Sequence, residues 1–452
     1  MTLLNELSAE VCQRARMSRD PRFDGRFFVA VKTTGIFCRP ICPANLPKEE
    51  NVEYFSSQAL AVSAGYRPCL RCRPESAPHS WAWKGAETTF LRALTLIEQG
   101  ELDGSLETLA SRLGISDRYL RQLFQRHLGM PPKQYAQIQQ LMFAKQLLHT
   151  SQISITEVAY ASGFQSTRRF NDAFQKLFRL TPTQVRRERA ALPSRNHLSL
   201  AFRGPFDWAH MLDFYRLRAI EGMELVDEQS YQRHFVLGEG TGWFKASMAQ
   251  SHLDIEFEME RLSDLRHLVA RLRRMFDLDA DLISIEAHLE QVAPGLVRRT
   301  GIRIPGVWNA WEAGVRAVLG QQVSVKAAIG QLNLLVSTLA ASEGSTRDFP
   351  TPEQVQMSDL SFLRMPERRK ETLKRLADYV RLHPMDSPMA WLSLSGIGPW
   401  TVDYAQLRGE SRSHCFLTGD LIVKKALAKF PQLTAELVAP WGSYATFHCW
   451  SH

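Results

Sequence analysis

The spacing of apolar and polar positions divides the chain into stretches of different periodicity. Between residues 85 and 190 apolar side chains recur at helical spacing. Residues 252–259 instead alternate apolar and polar side chains, as a half-buried strand does. Residues 265–278 return to helical spacing with a basic face, and from about residue 291 the pattern is that of helices. The pattern therefore predicts a multidomain, mostly α protein with one mixed α/β portion.

Two segments of the first helical stretch repeat each other at an offset of 49 to 50 residues. Ala110 and Gly114 in the first copy correspond to Ala159 and Gly163 in the second. A small alanine lets two helices pack closely and a glycine turns the chain, as a helix-turn-helix requires. Two copies indicate a tandem module rather than a solenoid.

The second helix of each copy has an apolar and a polar face. The residues predicted to face inward are Tyr119, Leu120, Leu123 and Phe124 in the first copy, and Phe170, Phe174 and Leu177 in the second. The residues predicted to face outward are Arg118, Arg121, Gln122 and Gln125, then Arg168, Arg169, Asn171 and Asp172. Arg, Asn and Gln side chains can read base edges in the major groove, although most charged helix faces are only solvated.

The charge distribution favours DNA as the partner of the N-terminal part. Residues 1–190 contain 26 Lys and Arg against 17 Asp and Glu, whereas residues 191–452 contain 29 against 30. A local basic surplus is typical of regions that bind a polyanion. No apolar run reaches the ~18 residues of a membrane span, and the N-terminus lacks a signal-peptide core. We therefore expect a cytoplasmic protein without membrane contact.

Four of the seven cysteines form two tight pairs, Cys38 with Cys42 and Cys69 with Cys72. In a reducing cytoplasm, pairs at this spacing are typical of tetrahedral Zn²⁺ ligands rather than of disulfides. Closed four-thiolate sites usually only stabilise a fold, so the spacing alone leaves the role of the metal open. The other cysteines, Cys12, Cys415 and Cys449, are isolated.

A glycine turn and a carboxylate later in the chain are the candidate functional groups of the C-terminal half. Gly396 and Gly398 flank Ile397, and Pro399 suits the first turn of a following helix. The exposed amides at such a helix start bind a DNA phosphate readily. Asp420 follows Gly396 by 24 residues, directly before a helical segment. The hairpin at Gly396–Gly398 and the helix start at Pro399 are called the phosphate grip below. Such a phosphate-binding segment followed by a single carboxylate suits chemistry on a nucleotide, although most Gly-x-Gly matches are ordinary turns.

The sequence segments 33–40 and 65–72, which contain Cys38 and the pair Cys69 and Cys72, resemble the N-terminal domain of Ada, the adaptive-response protein. The resemblance extends over residues 8–76. The resemblance implies that Cys38 takes a methyl group from a methyl phosphotriester in DNA, in a suicidal methyltransferase reaction. It also implies that Thr34 and Arg67 lie near the DNA backbone. Asn45 stands where the family can carry Arg. Residues 86–189 are similar to AraC-family DNA-binding domains, which implies promoter binding and RNA polymerase as a partner.

The C-terminal half resembles the helix-hairpin-helix glycosylases of the AlkA type, through the segment around the hairpin and through residues 305–308 and 316–324. The resemblance implies a DNA-3-methyladenine glycosylase II activity in which Asp420 is the essential carboxylate. Strand-cutting members carry Lys where this chain has Trp400, so no Schiff base can form and the enzyme is expected to be monofunctional. The family's aromatic pocket positions correspond to Trp400, Tyr404 and Trp441, and Gln322 corresponds to the wedge that fills the gap left by a flipped base. The span from residue 430 to 441 is shorter than in relatives, which leaves the pocket geometry open.

Four domains follow from these readings. We predict an Ada-like zinc-bound α/β domain at 1–78, an AraC-type tandem helix-turn-helix domain at 85–190, an AlkA-like α/β (TBP-like) subdomain at 197–290, and an all-α helix-hairpin-helix glycosylase domain at 291–452. Linkers are expected at 77–80 and 191–194. The expected partner is double-stranded DNA, as alkylated lesions and promoter sites, and the expected state is a monomer. The alternative is a transcription regulator with a structural zinc site and a degenerate glycosylase half.

Overall fold

The structure, a computed structural model, describes most of the chain in two compact units. The described residues are 7–20, 23–72, 74, 89–98, 100, 102, 105–187, 196–340, 342–343, 346–384 and 386–451. The first unit is Met1–His197 with Leu262–His267, and the second is Leu198–Arg261 with Leu268–His452. The predicted linkers at 77–80 and 191–194 lie outside the described residues.

The first unit begins with a small sheet that separates two apolar clusters. Its elements are helices α1 (Ala9–Ser18) and α2 (Gln58–Ser63) and strands β1 (Phe28–Val31), β2 (Ile36–Cys38), β3 (Val52–Phe55) and β4 (Arg67–Pro68). The strand order is β3-β1-β2-β4, antiparallel except for the parallel pair β2 and β4. Successive side chains of a strand point to opposite faces, so Val29 joins the cluster around Cys12 while Phe28 and Ala30 join the one around Phe37.

The rest of the first unit contains the two predicted helix-turn-helix copies. The helices are α3 (Thr89–Glu98), α4 (Leu106–Arg112), α5 (Asp117–Leu128), α6 (Pro132–Thr150), α7 (Ile155–Ala161), α8 (Thr167–Phe178) and α9 (Pro182–Arg187). In the two turns Gly114 and Gly163 have φ of +68° and +85°, a region that favours glycine. Helices α5 and α8 each begin at a serine cap, Ser116 and Ser166. The repeat in sequence is therefore a repeat in structure.

The outward residues of α5 and α8 are exposed as predicted, but one inward prediction is wrong. Tyr119 is 48% exposed, whereas Leu120 and Phe124 are fully buried. Tyr119 lies in the first turn of α5, directly before the fully buried Leu120. In α8 the inward face extends to Phe178, which is fully buried, while Leu177 is only half-buried.

A five-stranded sheet and two helices come next, and they belong to the second unit except for His197 of β5 and Leu265–His267 of α11. The elements are β5 (His197–Ala201), α10 (Trp208–Arg216), β6 (Glu224–Val226), β7 (Ser230–Leu237), β8 (Gly240–Met248), β9 (His252–Met259) and α11 (Leu265–Met275). The strand order is β5-β9-β8-β7-β6, and the neighbours from β6 to β9 are antiparallel. The predicted strand at 252–259 is confirmed with its alternation: Leu253, Ile255 and Phe257 are buried, while Glu256 and Glu258 are exposed.

The C-terminal part of the second unit is helical, as predicted, apart from a two-stranded hairpin. The elements are α12 (Leu282–Val292), α13 (Ala310–Gly320), α14 (Val325–Leu339), β10 (Ser342–Glu343), β11 (Thr346–Arg347), α15 (Pro352–Met357), α16 (Glu367–Leu382), α17 (Pro399–Gly409), α18 (Leu421–Lys429), α19 (Ala435–Val438) and α20 (Gly442–Trp450). Two residues per strand are too few for a periodicity to reveal β10 and β11. No helix among the described residues is both long and apolar enough to cross a membrane.

Helix α13 is the centre of this part. A Cβ at Gly314 would lie 2.8 Å from the Trp391 ring, and one at Gly409 of α17 would lie 2.5 Å from the Ala310 backbone. Gly409 therefore lets α17 approach α13 closely, and Gly314 makes room for the Trp391 ring against α13. The start of α17, which carries the hairpin, is thereby placed against a rigid core.

Candidate functional site

The four paired cysteines converge at one end of the small sheet. Their Sγ atoms all lie within 4.8 Å of one another. Thiolates around a tetrahedral Zn²⁺ at about 2.3 Å are about 3.8 Å apart, so this donor set fits the metal. Hydrogen bonds from Cys38 and then Cys72 lower the pKa of Cys42 to about 7, although Cys69 and burial oppose the shift. As whole residues, Cys42, Cys69 and Cys72 are buried, whereas Cys38 is half-buried.

Two cations that the sequence reading did not single out contact the cysteine cluster. The Arg39 backbone N–H donates to Cys72 Sγ at 3.3 Å, and its guanidinium pairs with the buried Asp24. The fully buried Lys145, from α6, donates to the Cys69 carbonyl at 3.4 Å. Positive charge next to an anionic cluster stabilises it. Because Lys145 comes from α6, no local spacing could have indicated its position beside these cysteines.

Thr34 and Arg67 lie near each other at the other end of β2. The Arg67 N–H donates to the Gly35 carbonyl at 2.8 Å, and Ile36 pairs with Arg67 in the sheet. Thr34 is exposed in the turn between β1 and β2. The sheet therefore brings Thr34 and Arg67, the two residues predicted to lie near the DNA backbone, close to each other. Cys38 is the last residue of β2.

Asp420 is held at the start of α18. It is the N-cap of the helix, and its Oδ1 accepts from the backbone N–H groups of Ile422 at 2.9 Å and Val423 at 3.2 Å. The Trp450 indole N–H donates to the same oxygen at 3.1 Å. Among the described residues no recorded donor reaches Oδ2. The residue is half-buried, so the carboxylate is fixed by three donors while part of the residue contacts solvent.

The thiol beside Asp420 is not a competing nucleophile. Burial, together with the charge of Asp420, raises the pKa of Cys449 to about 12. A thiol with this pKa stays protonated near neutral pH, and only the thiolate is nucleophilic.

A continuous series of contacts joins Asp420 to Trp400 and Tyr404. The Trp450 ring stacks on Phe214 of α10, with centroids 6.2 Å apart and an interplanar angle of 15°. The Arg408 guanidinium lies 4.7 Å from the Phe214 centroid and donates to the Tyr404 hydroxyl at 2.8 Å. Tyr404 stacks on Trp400 at 5.3 Å and 28°. The carboxylate and the aromatic residues Trp400 and Tyr404 are thus connected through Trp450, Phe214 and Arg408, and this group of side chains is called the wall below.

Positive charge in and near this wall acts on Tyr404. Burial alone would raise the pKa of the Tyr404 hydroxyl, but Arg408, Arg218 and Arg316 together lower it. Arg218 also lies 3.7 Å from the Phe214 centroid. The hydroxyl oxygen of Tyr404 is therefore held by the Arg408 hydrogen bond and lies near three guanidinium groups.

Trp441, the third aromatic residue predicted for the pocket, is a buried residue directly before α20. It is 6% exposed, precedes α20 and packs edge-on against Tyr444 at 6.1 Å. The indole that contacts Asp420 is that of Trp450, nine positions later in the chain. Trp450 and Phe214 were missed because neither belongs to a motif, and both reach the site from segments distant in sequence.

Of the two hairpin glycines, Gly396 has the positive φ that favours glycine and Gly398 does not. Gly396 has φ of +92°, and a Cβ there would lie 2.1 Å from Thr372 Oγ1. Gly398 has φ of −111° and precedes Pro399 at the start of α17, with open space where a Cβ would lie. Only Gly396 is therefore required by backbone conformation. Gly398 instead leaves the first amides of α17 uncovered.

Gln322 lies in the loop between α13 and α14, next to the hairpin. It is exposed and has φ of +57°, which is uncommon for a residue with a side chain. The preceding Gln321 donates through Nε2 to the Gly396 carbonyl and to Thr401 Oγ1, both at 3.1 Å. Gln321 was not identified from the sequence.

Three family models match the chain, each in a different region. They are described as metal binding domain of Ada at residues 11–75, helix-turn-helix domain at 109–188 and AlkA N-terminal domain at 197–309. Together with the geometry, they define a fusion of a zinc-binding domain, an AraC-type helix-turn-helix domain and a helix-hairpin-helix glycosylase fold.

Relatives extend this likeness over almost the whole chain. The chain is 34% identical over 475 residues to the probable bifunctional transcriptional activator/DNA repair enzyme AlkA of Mycobacterium tuberculosis, covering 98% of this chain and 96% of that protein. It is 32% identical to DNA-3-methyladenine glycosylase 2 of Escherichia coli, covering 56% of this chain and 96% of the relative. It is 35% identical to the Escherichia coli bifunctional transcriptional activator/DNA repair enzyme Ada, covering 38% of this chain and 47% of that protein. The chain belongs to the family of bifunctional transcriptional activator/DNA repair enzymes of the AlkA type.

Proposed function

We propose that the second unit is a monofunctional DNA glycosylase that hydrolyses the N-glycosidic bond of alkylated purines. The observation that carries the proposal is Asp420, a half-buried residue whose carboxylate is oriented by Trp450 and joined to the stacked rings of Tyr404 and Trp400. A relative that matches almost the whole chain and is named as a repair enzyme, and a glycosylase that matches 56% of the chain, support this reading over a regulator with a degenerate C-terminal half.

The reaction needs a cationic leaving group and negative charge beside the sugar. A base in a duplex must leave the stack before its glycosidic bond is reachable, at a cost of about a few kcal/mol. Alkylation at N3 or N7 makes the purine cationic, and aromatic faces attract such a cation by roughly 0.5–2 kcal/mol per ring. Trp400, Tyr404 and Trp441 would hold the flipped base, while Gln322 fills the gap it leaves.

Asp420 then acts on the sugar. As the bond breaks, its electron pair leaves with the base and positive charge develops on the sugar. The carboxylate stabilises this charge and orients or deprotonates the attacking water. At ~4 Å and an effective dielectric of about 20, the attraction is worth ~4 kcal/mol. Amides at the start of α17, near Gly396 and Gly398, would bind the phosphate, and Trp400 offers no amine for strand cleavage.

Base release from methylated duplex DNA tests this assignment. Wild type should release 3-methyladenine, and Asp420→Asn should be slower by about 100- to 1,000-fold. The introduced amide oxygen still accepts from the α18 backbone, so folding is preserved. Asp281→Asn is the matched control, since Asp281 caps α12 in the same way. Failure of wild type to release any base would favour the regulator-only alternative.

We also propose that Cys38 accepts a methyl group from a methyl phosphotriester in DNA. The Cys38 sulfur attacks the methyl carbon, the carbon–oxygen bond breaks, and its electron pair stays on the phosphate oxygen. Bound zinc keeps the four sulfurs as thiolates near neutral pH. A formal count of four thiolates and one Zn²⁺ changes from about −2 to about −1 on methylation, which reduces repulsion from the phosphates.

Mass spectrometry tests the methyl transfer. After exposure to methyl-phosphotriester DNA, wild type should gain about 14 Da on Cys38, and Cys38→Ser should gain nothing. Cys12→Ser is the control, because burial raises the pKa of Cys12 to about 11 and keeps it a thiol. An unmodified Cys38 would leave the metal with a structural role only.

The helix-turn-helix pair is proposed to bind promoter DNA as part of a transcriptional activator. The exposed residues of α5 and α8 that would contact DNA are Arg118, Arg121, Gln122, Arg168 and Arg169. We propose a monomer that recruits RNA polymerase. The double variant Arg168→Ala, Arg169→Ala should weaken promoter binding at least about tenfold in a mobility-shift titration, with a lower salt dependence. An unchanged affinity would remove α8 from the interface.

A further inference from the structure

The amide side chain of Gln321 links two parts of the second unit that would contact DNA separately. Its Nε2 donates to the Gly396 carbonyl and to Thr401 Oγ1, both at 3.1 Å. Gly396 is in the hairpin and Thr401 is in the first turn of α17. One side chain therefore spans both sides of the proposed phosphate grip.

The hairpin that receives these bonds is itself closely packed. A Cβ at Gly396 would overlap Thr372 of α16, and Thr401 is 2% exposed. The hairpin therefore cannot shift toward α16 without a clash. A group bonded to the hairpin takes up a defined position relative to the amides of α17.

The loop on the other side of Gln321 needs such an anchor. Gln321 follows the last residue of α13, and Gln322 has φ of +57°. Non-glycine residues adopt this conformation when the surrounding structure holds them there. Ser324 caps α14 by accepting from the Ala327 N–H, which fixes the far end of the loop. The left-handed residue thus lies between two fixed points.

We propose that Gln321 is a positioning residue that couples the phosphate grip to base flipping. Its two hydrogen bonds fix Gln322 relative to the hairpin. When the hairpin and the start of α17 bind a DNA phosphate, the Gln322 side chain is therefore held at a fixed position relative to the stacked bases. The proposal rests on the proposed glycosylase function, in which Gln322 fills the gap. Gln321 itself contacts neither base nor sugar in this role.

Gln321→Met tests the coupling, since Met has a similar length and no donor. A duplex with 2-aminopurine beside a tetrahydrofuran abasic analogue reports base unstacking by fluorescence. We expect Gln321→Met to lose most of the fluorescence gain at saturation, while its affinity for undamaged duplex changes less than about threefold. Single-turnover base release from methylated DNA should fall about tenfold or more, with the loss in the maximal rate. Gln321→Asn, which keeps the amide on a shorter side chain, is the second variant in case the Met variant folds poorly.

A double-mutant cycle with Gln322→Ala identifies the route of the effect. If Gln321 acts through Gln322, the double variant should be little worse than Gln322→Ala alone. The proposal would be overturned if the losses in base-release rate of the two single variants were fully additive. It would also be overturned if Gln321→Met unstacked the base as wild type does, or if this variant lost only DNA affinity. The unstacking assay contains no cleavable base, so absence of base release by wild type would overturn the glycosylase function alone.

Discussion

The Asp420–Trp450 hydrogen bond is the contact most open to test at the scale of single residues. Trp450→Phe keeps a ring against Phe214 and removes the indole donor. Hydrogen bonds to charged groups contribute about 1.5–3 kcal/mol, so base release should slow about ten- to a hundredfold. Trp243→Phe is the matched control, because Trp243 donates to Glu258 at 3.1 Å on the sheet. Equal rates in all three proteins would make the Trp450 contact irrelevant to the reaction.

Asp277 should make the stability of the second unit depend on pH. Burial raises the pKa of its carboxyl from 3.8 to about 7, and Oδ2 accepts from the Tyr444 hydroxyl at 2.9 Å. A raised pKa in the folded state stabilises the protein below the unfolded pKa. That stability, on the order of a few kcal/mol, is lost as the pH rises toward 7.

Asp277→Asn should therefore flatten the fall in unfolding free energy between about pH 4 and 7. Asn tolerates the left-handed backbone of Asp277, whose φ is +52°. Urea titrations at several pH values measure the difference. A slope as steep as that of wild type would assign the pH dependence to other groups.

At the scale of elements, a buried charge network joins the sheet to α13. Arg233 of β7 pairs with Glu224 at 2.7 Å and with Glu312, and Arg316 pairs with Glu312 at 2.8 Å and Glu224 at 3.1 Å. Although burial opposes it, Arg233 and Arg316 lower the pKa of Glu312 to about 2. The stability from Glu312 is thus present above its unfolded pKa and is lost as the pH falls toward 2.

Glu312→Gln should destabilise the second unit by about 3–5 kcal/mol, because it leaves buried guanidinium charge unpaired. Glu371→Gln removes an exposed i,i+4 partner of Arg375 and should cost less than about 1 kcal/mol. The midpoint of urea unfolding separates the two variants. If both shifted it equally, the network would contribute no more than a surface pair.

Elements also show what periodicity can predict. The helix-turn-helix pair and strand β9 were predictable because each has one buried face, which imposes a period on the residues. The exposure of Tyr119 was not predictable, because helical phase assigns a direction without saying where neighbouring helices end. The place of Phe214 in the wall likewise depends on how α10 packs.

At the scale of the whole molecule, the two compact units should keep separate chemistries. The two apolar clusters on the faces of the small sheet and the cluster of the paired cysteines each contain few residues, so the metal should contribute directly to folding there. Removing zinc with a strong chelator should abolish methyl transfer to Cys38 and reduce the circular dichroism signal. Base release, which uses Asp420 in the other unit, should change less than about twofold. Parallel loss of both activities would contradict this separation.

The sequence by itself determined the residues whose chemistry depends on local spacing. The paired cysteines, the duplicated turn with Gly114 and Gly163, and Gly396 with Asp420 belong to this class, since a chelate, a helix turn or a helix cap involves near neighbours. Only the tertiary structure decided which distant groups complete the sites. Trp450 on Asp420, Phe214 against Trp450, Lys145 beside the cysteines and Gln321 on the hairpin are joined by packing between elements. Such contacts impose no period or spacing on the chain, which is the physical reason that the sequence did not reveal them.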